Sequence, residues 1–292
     1  MGLKVLLTQK STGLDRRGEY VRKCVQSGGL NAANLESLQR SHDEHVETFS
    51  ELQALLHEAG VHVVRVGGGR YWPDSSEFDA VIAVGGDGTV LESSHHIDQS
   101  MTPLIGVRSS AGSVGYLCAY SGKKELPLMI RDLEAKSFST VLVARMQAHV
   151  FHVDKQHRVT TSPTLNDFLF CNANPAATSR YRMKVGVEEE SHKSSGVWLA
   201  GPAGSTAAIH AAGGTPVTLD SGKFQYRVRE LIQSTSRDLK LGSGFFDPEQ
   251  IMIQNECSKA VLVPDGVIEP IKLRFGDQIQ FELAESLKLV VS

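Results

Sequence analysis

Phe78-Asp79-Ala80-Val81-Ile82-Ala83-Val84 is a nearly continuous apolar run that breaks into Gly85-Gly86-Asp87-Gly88-Thr89. A strand apolar on both sides belongs inside a parallel sheet with helices on both faces. The neighbouring segments agree. Lys4-Val5-Leu6-Leu7 reads as a first strand. Glu44 to Ala59 places Val46, Phe49, Leu52, Leu55 and Leu56 at helical spacing before Gly60. Val61-His62-Val63-Val64-Arg65-Val66 reads as a strand that ends in Gly67-Gly68-Gly69, and a short helix from Thr89 and a strand from Pro103 to Val107 follow. Strands alternating with helices predict a doubly wound, Rossmann-like α/β domain.

Beyond residue 135 the pattern changes. Met183, Val185 and Val187 alternate with Arg182, Lys184 and Gly186, a period of two. Val197 to Ala200, Ala260 to Val263 and Ile279 to Leu283 are short and strand-like, and helices are expected only over Ser205–Ala212 and around Tyr226–Ile232. The reading is an α/β domain over 1–135 and a β-rich domain over 136–292, whose last strand could return to the first domain. A length of 292 residues agrees, since single cores stop growing at roughly 250–300 residues.

Composition narrows the function classes. A net charge of -3 argues against sequence-independent nucleic-acid binding, which needs a basic face. No apolar run approaches the ~18 residues that span a bilayer, and Met1 to Leu7 lacks the pattern of a secretory signal. Cys24, Cys118, Cys171 and Cys257 are too far apart for a C-x-x-C motif. They read as free thiols in a reducing compartment. The expected setting is cytoplasmic, with small-molecule substrates and neither nucleic acid nor membrane as partner.

Ligands of open α/β sheets bind outside the carboxyl ends of the strands, which is where Gly85-Gly86-Asp87-Gly88-Thr89 falls. Glycines let the backbone come close to a ligand, and the helix that follows offers N–H groups and a positive dipole end to phosphate. The competing reading is a tight turn with Asp87 as a helix cap. The Rossmann fingerprint fails because Leu91 stands where Gly or Ala is needed, and no P-loop pattern occurs. The turn holds no lysine, so a triphosphate there would rely on backbone amides, a divalent metal and basic residues from elsewhere.

Two other segments are candidates. Gly201-Pro202-Ala203-Gly204-Ser205-Thr206-Ala207-Ala208 is small enough for a ligand to lie against it, with the hydroxyls of Ser205 and Thr206 as polar handles, or it is a loop leading to an Ala-rich helix. Asn166-Asp167 suits ribose hydroxyls or an adenine edge, or it is an ordinary turn. His42 and His45 share a helical face without a carboxylate or cysteine partner, which rarely makes a metal site.

In this order the segments resemble the NAD kinase family over most of the chain from about Asp79 to Gly266. Gly85-Gly86-Asp87-Gly88-Thr89 is similar to its GGDGT motif and Thr164-Leu165-Asn166-Asp167 to its Asn-Glu/Asp motif. Gly204-Ser205-Thr206-Ala207 with Ala212-Gly213-Gly214 is similar to its TPTGSTAYxxSAGG segment, and Asp265-Gly266 to its C-terminal Asp-Gly. Gln225-Tyr226-Arg227-Val228-Arg229-Glu230 and the Ser110-to-Leu117 region resemble a divergent branch that includes plant cytosolic NADH kinases. The departures fall on the dinucleotide side. Ser195 replaces the usual aspartate in a region that contacts the nicotinamide-side ribose, Ala203 and Ala208 replace a hydroxyl residue and a tyrosine, and Gly106-Val107-Arg108-Ser109 replaces Gly-Ile-Asn-x.

The resemblance implies transfer of the ATP γ-phosphoryl group to the 2′-hydroxyl of the adenosine ribose of NAD+ or NADH. It implies Asp87 as the catalytic residue that accepts the proton, orients the hydroxyl or holds the metal, and Gly85, Gly86, Gly88 and Thr89 as a phosphate cradle helped by Mg2+ or Mn2+. Asn166 and Asp167 would bind ribose and base, Gly204, Ser205, Thr206 and Ala207 would line the adenosine, Ser195 would lie near the second ribose, and Arg180 would meet a phosphate. No resident metal site is expected, and a homo-oligomer, dimer or tetramer, is the family habit. The rivals are a lipid kinase of the diacylglycerol or sphingosine type or a phosphofructokinase, which carry a similar Gly-Gly-Asp-Gly, and a non-catalytic NADP(H) sensor.

Overall fold

The structure, a computed structural model, describes residues 2–66, 71–98, 101–153, 157–232 and 239–292. The expected Gly67-Gly68-Gly69 strand end lies outside the described residues. The chain divides into two compact units, Met1–Val141 with Lys288–Ser292, and Leu142–Leu287.

The first unit contains β1 (Lys4–Gln9), α1 (Gly13–Gln26), α2 (Ala32–Glu58), β2 (His62–Val66), β3 (Ala80–Gly85), α3 (Asp87–Ser94), β4 (Leu104–Arg108), β5 (Tyr120–Ser121) and α4 (Leu126–Ala135). Parallel pairing sets the order β2-β1-β3-β4, and β5 runs beside Val107 and Arg108. Every residue of β3 is buried, as its apolar sequence demands. Val5, Leu7, Ile82, Val84 and Ile105 share a core with Phe49, Leu52 and Leu56 of α2 and Met129 and Leu133 of α4. Each such side chain contributes roughly 1.5–3 kcal/mol through its burial. The α2 helix starts well before the expected Glu44, at an Asn31 cap whose side chain accepts from the Ala33 N–H at 3.0 Å. Sequence spacing missed α1, because it buries only Gly18 and Val21, and a capping box of Thr12 with Asp15 sets its start.

The second unit runs through β6 (Thr140–His152), β7 (His157–Thr160), β8 (Asp167–Asn172), β9 (Ser179–Val185), β10 (Glu188–Ser194), β11 (Val197–Ala200), the single turn α5 (Ala208–Ala211), β12 (Phe224–Val228), β13 (Ser243–Phe246), β14 (Ile251–Asn255), β15 (Lys259–Pro264), β16 (Ile271–Arg274) and β17 (Gln278–Val290). One sheet follows the order β10-β9-β14-β17, with β6 on β17 and β7 on β6. The other follows β13-β12-β11-β8-β15-β16. Alternation puts Tyr181 and Met183 of β9 in the core and leaves Arg180, Arg182 and Lys184 exposed. Phe168 meets Phe281 edge-on at 5.4 Å and Phe170 meets Tyr181 at 5.1 Å, joining the inner faces of the two sheets. The last residues of β17 belong to the first unit, where Leu289 lies beside Leu104.

An α/β unit and a β-rich unit are the architecture the sequence predicts. Two local expectations need correction. The segment around Tyr226–Ile232 is not helical: Phe224–Val228 is strand β12, paired with β11 and β13. Tyr226 and Val228 are buried there and Arg227 is half-buried, a spacing of two. The expected helix over Ser205–Ala212 breaks in two, a 3-10 turn at Ala203–Thr206 and α5, because Ala207 leaves helical geometry at φ -91 and ψ -139. All four cysteines are free, with Cys257 buried and the others half-buried.

The link between β10 and β11 turns on Gly196, at φ +111, where a Cβ would stand 2.2 Å from the Phe170 carbonyl oxygen. Gly196→Ala meets both a backbone penalty and a clash with main chain. It is expected to lower stability by roughly 2–4 kcal/mol in urea unfolding; an unchanged midpoint would contradict this.

Candidate active site

In the first unit the buried strand β3 delivers the glycine turn, and the turn is locked to the segment after β4. A Cβ on Gly86 would lie 2.6 Å from the Val114 carbonyl oxygen, and one on Gly85 would lie 2.1 Å from Thr89 Oγ1. Both positions therefore need glycine for packing. The Ser109 N–H donates to the Gly85 carbonyl at 2.9 Å and the Asp87 N–H to the Val114 carbonyl at 3.1 Å. Gly88 is different. It is exposed, and a Cβ there would meet nothing within 4 Å. Glycine inside a helix costs up to about 1 kcal/mol against alanine, so what Gly88 offers is an open backbone at the helix start.

Asp87 does not cap its helix. The cap position is Gly86, with no side-chain cap bond, and the Asp87 carboxylate reaches across to the 110–117 segment. Its Oδ1 accepts the Leu117 N–H at 2.9 Å and its Oδ2 accepts the Tyr116 N–H at 3.1 Å. One bond to each oxygen fixes the carboxylate plane and leaves lone pairs for a ligand. Thr89 is buried and its N–H closes the turn on the Gly86 carbonyl at 2.9 Å. Behind the turn, buried His45 bonds Ser109 Oγ at 2.8 Å, and burial lowers its pKa to about 4. His42 instead contacts Thr12 Oγ1 at 2.9 Å. His42 also lies 3.5 Å from Asp15 Oδ1, so the two histidines tie α2 to the start of α1 and to Ser109.

In the second unit one carboxylate organises the Asn-Asp segment. Asp265 accepts the N–H groups of Leu165 at 3.0 Å, Asn166 at 2.8 Å and Asp167 at 3.0 Å. Asp265 and Gly266 take left-handed backbone angles, φ 49 and 67, which set this turn after β15. The Asn166 carbonyl accepts the Gly201 N–H at 2.9 Å, and a Cβ on Gly204 would fall 2.1 Å from the same oxygen. Glycine at 204 is what lets the two segments touch. Asn166 Oδ1 is buried with no hydrogen-bond partner among the described residues, an acceptor fitted to a hydroxyl or amino group of a ligand. Asp167 is 6% exposed, and burial first, then the Asp265 charge, push its pKa up to about 7.

The small-residue segment splits by task. Ser205 is fully buried, and its hydroxyl donates to the Val217 carbonyl at 3.2 Å and accepts the Val217 N–H at 3.1 Å. Thr206 is exposed and Ala207 half-buried, so Thr206 is the hydroxyl available to a ligand. Ser195 follows β10; its N–H donates to the Arg229 carbonyl at 2.9 Å, and its carbonyl accepts from Arg229 Nη1 at 3.4 Å. Arg180 is exposed on β9, opposite Lys193 of β10. The structure draws Asn166, Asp167 and Gly204 together by direct contact, and among the described residues no hydrogen bond links Ser195 or Arg180 to the Asn166–Asp167 turn. Asp265 is the residue whose organising role the sequence reading left out. The Asp-Gly pair after a strand-like run was its available signal.

An acid whose pKa is raised on folding favours the folded state below its ordinary value and loses that advantage as pH climbs toward the raised value. Asp167→Asn removes the buried charge. It is expected to raise Tm relative to the parent most at pH 8, less at pH 5 and least near pH 4, read by thermal melts of the ligand-free protein. A Tm difference that does not grow with pH would contradict the buried-charge assignment.

Residues 73–137 match the model of the ATP-NAD kinase N-terminal domain. The probable NADH kinase of Oryza sativa subsp. japonica is 28% identical over 273 residues, 85% of this chain and 81% of the relative. The NADH kinase of Arabidopsis thaliana is 31% identical over 242 residues, 70% of this chain and 69% of the relative. Among solved structures, yeast NADH kinase complexed with NADH superposes with a TM-score of 0.72 at 17% identity, covering 100% of this chain and 84% of that one. An NAD kinase from Archaeoglobus fulgidus in complex with ATP gives 0.66 at 18% identity, over 99% and 93%. The last two establish the fold. With relatives in two plants matched over most of their length, this chain belongs to the NAD kinase family.

Proposed function

We propose that the chain moves the γ-phosphoryl group of ATP to the 2′-hydroxyl of the adenosine ribose of NAD+ or NADH, giving NADP(H). One observation carries the reading: the Asp87 carboxylate is held by two loop N–H groups at the start of an uncapped helix, beside an open glycine. A fixed carboxylate can orient an attacking hydroxyl and take its proton, while the turn's backbone and the helix start face phosphate. Gly85, Gly86 and the buried Thr89 give the turn its shape, and Gly88 presents the open backbone to the phosphates.

The second unit holds the dinucleotide. Asn166 Oδ1 accepts from the adenosine side, and Asp167 receives ribose or base. Gly204 and Ser205 shape the segment from which Thr206 and Ala207 line the adenosine. Ser195 lies toward the second ribose, and Arg180 offers a guanidinium to a phosphate. Mg2+ or Mn2+ enters with the donor. No group of three or more His, Cys, Asp or Glu side chains able to hold a metal occurs among the described residues. A cation carried on phosphates needs only one or two protein carboxylates, which Asp87 fits. Bound there, it would neutralise charge on the transferring group.

The relatives are NAD and NADH kinases, which favours neither the lipid-kinase nor the sensor reading. No helix among the described residues is long and apolar enough to cross a membrane. A homo-oligomer in a cytoplasmic setting completes the proposal, consistent with the general habit of soluble enzymes.

Initial rates with NAD+ and NADH side by side, scored by NADP(H) formed per ATP consumed, test the reading. Asp87→Asn, which loses the proton acceptor and one of the two loop N–H bonds, is expected to cut kcat by about a hundredfold or more and to leave dinucleotide affinity within about twofold, since the dinucleotide is held by the second unit. A variant with near-normal turnover would remove Asp87 from the chemistry.

A further inference from the structure

The glycine turn contains no lysine, yet one stands against it. Lys10 directly follows β1, and its N–H donates to the Val84 carbonyl at 3.0 Å. A Cβ on Gly85 would lie 3.2 Å from the Lys10 Cβ. The Lys10 ammonium donates to Ser110 Oγ at 2.9 Å and to Ser113 Oγ at 3.0 Å, and those two hydroxyls are 2.8 Å apart. Ser113 in turn packs on the turn, its Cβ 3.0 Å from where a Cβ on Gly86 would be. The segment that holds the Asp87 carboxylate therefore also holds this ammonium.

The surroundings do not explain the charge. Lys10 is half-buried, and burial pulls its pKa down; Glu44 opposes that effect and Arg16 adds to it. Lys10 makes no ion pair among the described residues; its ammonium contacts are two neutral hydroxyls. The Glu44 carboxylate acts on Lys10 only through space and is itself bonded to the Ala111 N–H at 2.9 Å. Taking an ammonium partly out of water with no carboxylate in hydrogen-bond contact is unfavourable for the free protein. An ammonium has three donors, and two are directed by the serines, so the third is left for an anion. The carboxyl ends of β1, β3 and β4 meet at this point, the ligand-binding end of a parallel sheet.

We infer that Lys10 binds an oxygen of the donor's triphosphate chain, with Ser110 and Ser113 as positioning residues that aim its ammonium. The inference rests on the function proposed above and names the cation that the glycine turn lacks. The dinucleotide pyrophosphate is the competing anion, and kinetics separates the two.

The full-length chain is assayed as wild type, Lys10→Met and Lys10→Arg, varying ATP at fixed Mg2+ and NADH, then NADH at fixed ATP. Loss of one charge-assisted bond to phosphate is expected to raise KM for ATP about tenfold or more in Lys10→Met. KM for NADH should stay within about twofold, and Lys10→Arg should recover most of the ATP affinity. An unchanged KM for ATP with unchanged kcat overturns the inference, as does a rise confined to NADH, which would assign Lys10 to the dinucleotide. Equal rises in both, together with a lowered Tm, would mark Lys10 as structural and overturn it too. Should Lys10→Met fail to fold, a Ser110→Ala, Ser113→Ala double variant is read the same way, with a smaller rise in KM for ATP. Inorganic tripolyphosphate gives a readout without turnover. It should raise the Tm of wild type more than that of Lys10→Met, and equal shifts count against the inference. An inactive wild type would sink the proposed function, whereas an active wild type indifferent to Lys10→Met sinks only the role of Lys10.

Discussion

The bond pair from the Tyr116 and Leu117 N–H groups to the Asp87 carboxylate is the constraint on which the first unit's chemistry depends. It converts a flexible glycine turn into a fixed presentation of one carboxylate. The fixing works because Gly86 lacks a side chain and the 110–117 segment can lie directly on its backbone. The same segment is tied from behind, through Ser109 to the Gly85 carbonyl and through Ser109 Oγ to His45. His45 is held neutral by its burial, so this support adds no charge beneath the turn. Strand β3, helix α2 and the segment after β4 are thereby coupled through a few polar contacts inside an otherwise apolar core.

The second unit solves a similar problem with the opposite polarity of parts. There the carboxylate of Asp265 gathers three consecutive N–H groups, and the side chains of Asn166 and Asp167 are what it leaves available. Three donors on one carboxylate form a strong, charge-assisted arrangement. Its consequence is an unfavourable field at Asp167, a nearly buried acid whose pKa rises to about 7. Such strain is ordinary where a site is arranged for a ligand and not for the empty protein. The unpartnered Asn166 Oδ1 is of the same kind. Gly204 shows the steric side of the design, since any larger residue would drive the segment off Asn166.

Much of this was legible in the chain. The apolar run before Gly85 announced a doubly covered strand, and β3 is buried throughout. The alternation at Met183 and Val185 announced β9, whose odd-numbered residues face inward. What could not be read follows from tertiary context. α1 is polar around most of its surface and buries too little to leave a stripe. Tyr226 to Val228 carries apolar residues that fit either period, and pairing with β11 and β13 decides for a strand. Asp87 as cap or as free carboxylate was undecidable from local sequence, because its partners lie about thirty positions away, at Tyr116 and Leu117. Lys10 escaped notice for the same reason: a parallel sheet brings the end of β1 beside the turn after β3, and nothing in the residues around Lys10 says so. Ser205 and Thr206 look alike in sequence, but only the first is turned inward onto Val217.

The central claim is that a phosphoryl group leaves ATP at the glycine turn and arrives on the adenosine ribose of the dinucleotide. The most direct measurement incubates the purified chain with NADH and ATP labelled in the γ-phosphate with oxygen-18, then locates the label by mass spectrometry and phosphorus NMR. The expected result is NADPH bearing the labelled phosphate on the 2′-hydroxyl, formed in equal amount to the ADP released. Labelled inorganic phosphate with the dinucleotide unchanged, or a label on any other hydroxyl, would contradict it.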